Sequence, residues 1–397
     1  MKAFTLRLAF GVLLAACLGT CYGQSESAAI RQGFATPPAG YGEVPFWWWT
    51  GEKLNVDRLL WQLDELKKKG ISGVQVNYAH QDVVNEKQPN WLTYPNEPEV
   101  LTDEWFDVFE KVAEHCDELK MGAGLSGYTL DWQHSPNNLF DRLIYSDVET
   151  QSRTLYIGVR KRVAAGQKFS EVLNAGDLGD REDDKVVQIA AYPIDAQGTF
   201  DAANVLLLDR ASLDQAAETD CEAIVYRAKR SPHTLNPLHP DAGKKVVERF
   251  LKPFEDRAKK RNANDDGKST LGLEYFFQDE LQLGTGDLVW HDDVPDVFAR
   301  SKGNSYWTAA PAMFGLPVGD LAEKYRLDFM NIRVKLAEER YFIPIYRWHA
   351  DRGRIYGCDP GSRGRDPSEF CDYFSAIRWY TAPGHDTPGG RADFIKN

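Results

Sequence analysis

A parallel α/β barrel, short of its last strand and interrupted by a small antiparallel insertion, is the fold class this sequence predicts. Three observations carry that expectation. Strand-like apolar runs alternate with amphipathic helical segments early in the chain, the rhythm of parallel βα units. The rhythm lapses between about Thr154 and Asp209, where strand-like runs are separated by Gly/Asp-rich turns. The apolar and aromatic run Leu273 to Phe277 then breaks abruptly into Gln278, Asp279 and Glu280, as a strand buried on both faces does when it ends in acids at a sheet rim.

The first 23 residues read as a leader. Lys2 and Arg7 form a positive start, Leu8 to Leu14 is a short apolar core, and small residues follow to Gly23. This is a secretory signal, too short for a membrane span. Leu14-Ala15-Ala16-Cys17 also resembles a bacterial lipobox with Cys17 as the lipidated residue; cleavage near Gly23 without an anchor is the other reading. Either way the expected location is outside the cytoplasm, in the periplasm, the medium or lipid-held at the cell surface. Any membrane contact would run through that lipid.

Residues 24–150 are expected to form the first part of the barrel. Val44 to Trp49 is a first strand, and Asn55 can cap a helix carrying Val56, Leu59, Leu60, Leu63 and Leu66 on one face, ended by Gly70. Gly73 to Asn77 is a second strand; Thr102 precedes a helix with Trp105, Phe109, Val112, Cys116 and Leu119 at helical spacing; Met121 to Leu125 is a third strand. Residues 151–220 are the expected β insertion, with strands near Thr154–Val159, Lys185–Tyr192 and Val205–Leu208. Residues 221–397 are expected to resume the barrel. Ala223 to Tyr226 reads as a barrel strand, Asp241 to Arg261 as a helix, Leu321 to Ala350 as a long helix bent near Pro344, and Gly353 to Gly357 as a strand running into Cys358-Asp359. Cys371 to Tyr380 looks helical, and Thr381 to His385 is a further brief strand. These make about seven strands where a closed (β/α)8 TIM-type barrel needs eight. The chain stops at Asn397 on what looks like the start of a helix, so it is expected to be truncated before the last strand.

The formal charge of −12 excludes a basic nucleic-acid footprint, and losing Lys2 and Arg7 would make it more negative still. Aromatic residues make up 12% of the chain, 11 of them Trp, which suits sugar-stacking platforms or a large core. Cys116, Cys221, Cys358 and Cys371 lack zinc-ligand spacing, and the eight histidines are scattered without ligand pairs; no metal site is expected from the residues. Gly267-Lys268-Ser269 resembles the end of a phosphate loop, but the upstream glycine is Asn262 and a strand follows instead of a helix.

Polar groups at strand ends remain: Asn77 with His80, Tyr128 with Asp131 and Trp132, His233, Asp279 with Glu280, Asp359, and His385 with Asp386. His349 also lies near an expected strand end. In a β/α barrel these ends share the catalytic face. Acids and aromatics in one cleft make a sugar site, and glycoside hydrolysis needs two carboxyls, one protonated and one ionised. Glu280 is the first choice for one and Asp359 for the second, with Glu369 in reserve. Solvated or turn-forming acids are the competing reading. Trp48, Trp49, Asn77, His80, Asp131, Trp132, His233, Asp279, His349 and His385 are the expected substrate contacts.

Several blocks together resemble the barrel-type α-L-rhamnosidases, glycoside hydrolase family 106. They are Pro45-Phe46-Trp47-Trp48-Trp49-Thr50-Gly51, the run Gln62 to Gln75, Leu125 to Trp132, Leu235-Asn236-Pro237, Tyr275 to Leu281, and Arg378 to Gly384. The resemblance implies a catalytic barrel with a β insertion that hydrolyses terminal α-linked deoxysugars of a rhamnose-containing glycan with inversion. It places a catalytic role on Glu280 and implies calcium in the barrel mouth of some members. A non-catalytic carbohydrate-binding or surface protein, or an inactive fragment, is the alternative.

Overall fold

The computed structural model describes residues 27–35, 42–49, 53–77, 97–99, 102–126, 147–253, 255–256, 275–281, 288–360 and 373–383. For 232–234, 275, 279–281, 359–360, 373–374 and 383 the description is of backbone alone.

The chain folds as mixed α/β, with one parallel and one antiparallel sheet among the described residues. The parallel sheet has six strands: β1 (Phe46–Trp48), β2 (Gly73–Asn77), β3 (Gly122–Ser126), β8 (Tyr275–Leu281), β10 (Ile355–Pro360) and β11 (Ala382–Pro383), side by side in chain order. Helix α1 (Val56–Lys68) joins the first two strands and α2 (Asp103–Glu118) the next two. Both begin at the expected caps: the Arg58 amide donates to Asn55 Oδ1 at 3.0 Å and the Trp105 amide to Thr102 Oγ1 at 3.3 Å, each satisfying an otherwise orphaned first-turn donor. Gly70, at φ 84°, ends the first turn of chain after α1 in a conformation that suits glycine.

Strand alternation divides the sheet into two faces. Val76, Leu125, Phe276 and Tyr356 stand in register on one face. They are buried against Leu63, Trp105, Phe109 and Val112 of α1 and α2 and against Phe250, Phe342 and Ile345. The other face carries Phe46, Trp48, Asn77 and Phe277, and it is concave. The rings of Phe46 on β1 and Phe277 on β8 are 5.9 Å apart, although β2 and β3 lie between. In a flat sheet three strand spacings would separate them by about 14 Å.

The antiparallel sheet contains β4 (Gln151–Val163), β5 (Asp184–Pro193), β6 (Leu206–Leu208), β7 (Cys221–Leu235) and β9 (Val289–Trp290), in the order β6-β5-β7-β4-β9. This corrects one expectation. Ala223 to Tyr226 is the middle of β7, paired antiparallel with β4 and β5, so the described parallel strands number six. A short apolar run reads alike in either sheet; its hydrogen-bond partners decide. The antiparallel sheet also runs on to Leu235 and takes in β9 from beyond β8.

Helices cover one face of this second sheet. They are α3 (Val294–Lys302), α4 (Tyr306–Met313) and α5 (Ala322–Ala337), and Phe298, Tyr306, Trp307, Phe329 and Ile332 pack on Leu155, Tyr192 and Tyr226. The first two helices lie in a stretch where the sequence raised no expectation. The run Ala322 to Ala350 is the expected long helix, with a wide π-helical turn over Glu338–Phe342 before Pro344, then α6 (Ile343–Ala350). Its first half belongs to the core of the antiparallel sheet and its second half to that of the parallel sheet.

Candidate active site

The carboxyl ends of the parallel strands carry five of the expected residues, Trp48, Asn77, Asp279, Glu280 and Asp359. Trp48 ends β1 and Asn77 ends β2, opposite one another in register; Ser126 pairs with Phe277 one residue before Gln278. At the tips of β8 and β10 the ladder shifts. Cys358 faces Gln278 and Pro360 faces Leu281, so Asp279 and Glu280 together stand opposite Asp359 alone. Such a bulge bends its strand and re-aims the chain at a sheet's rim. The three acids chosen from the sequence are thus brought to one spot in the backbone.

The base of that spot is rigid. Gln278 is fully buried, and its amide group is bonded at both ends: Nε2 donates to Tyr341 Oη at 2.7 Å, and Tyr356 Oη donates to Oε1 at 2.5 Å. Tyr341 lies in the π-helical turn and Tyr356 in β10, so one side chain ties both acid-bearing strands to the helix behind them. A buried amide with both halves satisfied has one well-defined position. Sequence reasoning passed over Gln278 because its meaning lies in two tyrosines 63 and 78 residues away. Next to it, Gly357 leaves no room: an added Cβ would come within 2.4 Å of Phe277 Cδ2 and 2.6 Å of the Ala382 carbonyl oxygen.

Two expected substrate contacts are core residues instead. Trp49 is 1% exposed and packs on Trp105 and Phe109. It follows the exposed Trp48 and takes the opposite face by alternation. His349 is fully buried in α6, its ring stacked on Phe276 and Tyr356 and its Nδ1 bonded to the Ile345 carbonyl at 2.8 Å. Burial pushes its pKa down to about 4 from an ordinary 6.5, so it is neutral in the native protein near pH 7. The unfolded chain binds a proton that the folded chain refuses between those two values. Stability is therefore expected to fall by up to about 3 kcal/mol as pH drops through that window. Denaturant titrations at several pH values check this, with His349→Phe expected to remove that part of the slope.

His233 lies in β7, in the antiparallel sheet. His80, Asp131, Trp132, His385 and Glu369, together with the leader and Cys17, lie outside the described residues. Among the described residues no group of three or more His, Cys, Asp or Glu is placed to hold a metal ion.

The chain resembles the structure of a rhamnosidase from Novosphingobium sp. PP1Y, with a TM-score of 0.58 and 13% sequence identity over 87% of this chain and 48% of that one. The likeness is one of fold. The chain spans about half the length of that protein. No protein-family model matches the sequence, and no curated protein matches it.

Trp48, 41% exposed beside buried Asn77, offers an indole at the rim. Of the described helices, α1, α2 and α6 pack against the convex face.

Proposed function

We propose that this chain is the catalytic barrel of an exported glycoside hydrolase acting on terminal α-L-rhamnosides, with Glu280 and Asp359 as its paired carboxyls. The observation that carries the reading is the bulge setting Asp279 and Glu280 against Asp359 at the carboxyl rim of a parallel sheet. The inward curl of that sheet, seen in the contact of Phe46 with Phe277, supports a barrel, and the rhamnosidase-like fold supports the substrate class. The leader supports export.

The chemistry asks little more of the chain. One carboxylic acid protonates the departing glycosidic oxygen, while the other, as carboxylate, takes a proton from a water that attacks the anomeric carbon from the opposite face. Inversion follows when about 6.5–9.5 Å separates the two carboxyls. Asp279 and the strand-end aromatics would hold the sugar, and the Tyr341–Gln278–Tyr356 bridge would fix the separation of the two strand tips.

The test is incubation of the purified chain with an aryl α-L-rhamnoside, following the first-formed sugar by proton NMR. Release of β-L-rhamnose is expected. Absence of any release from folded protein would remove the hydrolase reading and leave a carbohydrate-binding protein.

A further inference from the structure

We propose that the antiparallel sheet carries a second saccharide-binding cleft, which holds a neutral stretch of glycan away from the strand-tip acids. The inference rests on the hydrolase reading for its substrate class, but its geometry is separate. Helices α3 and α4 cover the sheet only in part. Beyond Pro295 and Trp307 the sheet's face lies open as a cavity of about 470 Å³, within the roughly 300–1,000 Å³ of small-ligand sites.

Its floor is an unusual row. Trp290, Arg153 and Arg230 stand directly opposite one another on β9, β4 and β7. Two like charges paired across neighbouring strands disfavour a sheet unless other groups compensate them, and Arg230 Nη1 donates to Gln151 Oε1 at 3.0 Å. Each is matched by a carboxylate: Arg153 Nη1 donates to Asp292 Oδ2 at 3.1 Å, and Arg230 Nε to Asp183 Oδ1 at 2.8 Å. These pairs are largely solvent-exposed on the acid side, 68% and 48%, and such pairs add little stability. Lys185 and Glu182 complete the rim and have no partner among the described residues. Three cations, Arg153, Lys185 and Arg230, and three carboxylates, Glu182, Asp183 and Asp292, thus line the cavity.

That pattern selects a ligand. Balanced charge gives no net attraction for an ion, while fixed donors beside fixed acceptors suit vicinal hydroxyls, each of which gives and takes a hydrogen bond. Trp290, whose indole N–H is held by Asp292 Oδ1 at 3.1 Å, and Trp307 supply apolar wall for sugar C–H groups. The cleft is also within reach of the acids. Trp290 follows Glu280 by ten residues in the chain, which limits their separation to at most about 35 Å, a span an extended oligosaccharide can bridge.

The experiment is isothermal titration of the full chain with a neutral, rhamnose-terminated hexasaccharide. It is run in a Glu280→Gln background so that the probe is not consumed. Adding Arg153→Ala and Lys185→Ala together is expected to raise Kd at least about tenfold, a loss of roughly 1.4 kcal/mol, with near-UV circular dichroism unchanged. A folded double variant whose Kd stays within about twofold of its parent overturns the cleft. Loss of binding in a chain that releases no sugar from an aryl rhamnoside would keep the cleft and remove the hydrolase reading; sugar release with unaltered titration would do the reverse.

Discussion

Replacing Glu280 with glutamine is expected to lower kcat on an aryl α-L-rhamnoside by roughly a hundred- to ten-thousandfold, the contribution of a positioned general acid or base. The substitution keeps shape and polarity and removes the exchangeable proton and the charge. KM should change little, because the loss falls on the transition state and not on ground-state binding. The bell-shaped pH profile expected of two carboxyls should lose one limb, and the limb that vanishes identifies the role of Glu280. Thermal unfolding should be nearly unaltered, since the residue stands at a strand tip behind which Gln278 is independently fixed. A near-normal rate in the folded variant would remove Glu280 from the chemistry.

Asp184→Asn is expected to destabilise the protein by about 3–5 kcal/mol, the loss seen when one partner of a buried ion pair is removed. Asp184 and Arg227 have side chains only 9% and 6% exposed and meet at 3.0 Å. The rest of the guanidinium is spent on backbone: Nη2 donates to the carbonyls of Gly179 and Asp184, each at 2.9 Å. Tyr156 Oη donates to the second carboxylate oxygen at 2.6 Å. Gly158 makes the space, for a Cβ there would lie 2.3 Å from Arg227 Cδ. Neutralising the acid leaves a desolvated cation without its counter-charge. Burial alone would raise the Asp184 pKa, but the bonds from Tyr156 and Arg227 outweigh it and hold the value below the ordinary 3.8. The pair's contribution is therefore full above that ordinary value and is lost as pH falls through the lower folded one. Urea titration of Asp184→Asn measures the loss. The double change Asp184→Leu with Arg227→Met should recover part of it, because both charges then go together.

Much of this was legible in the sequence where local chemistry decides. Asn55 and Thr102 announce their helices because a cap is satisfied within three residues. Pro344 announces a disturbance in the long helix, and the structure answers with a π-helical turn just before it. The acids at the end of β8 were legible because a dry strand rarely ends so abruptly. What distant partners decide was not legible. Helix α4 is apolar nearly all round and contains Pro311, so it shows no amphipathic stripe to betray it. Trp49 and Trp48 look alike in sequence, and only packing on α2 makes one a core residue. His349 is a further difference: it lies inside α6, ahead of the amino start of β10, and the rings that enclose it come from β8 and β10.

The helix from Ala322 to Ala350 belongs to both hydrophobic interiors, and its wide turn lies where it passes from one to the other. Each residue of an α-helix advances about 100° around the axis, so a single extra residue in a wide turn resets the angular phase of everything beyond it. Phe329 and Ile332 can then look toward one sheet while Ile345 and Trp348 look toward the other. Inserting or deleting one residue in Glu338–Phe342 would rotate one half of the molecule's apolar lining away from its seat, whereas the same change in a surface loop would leave both seats aligned.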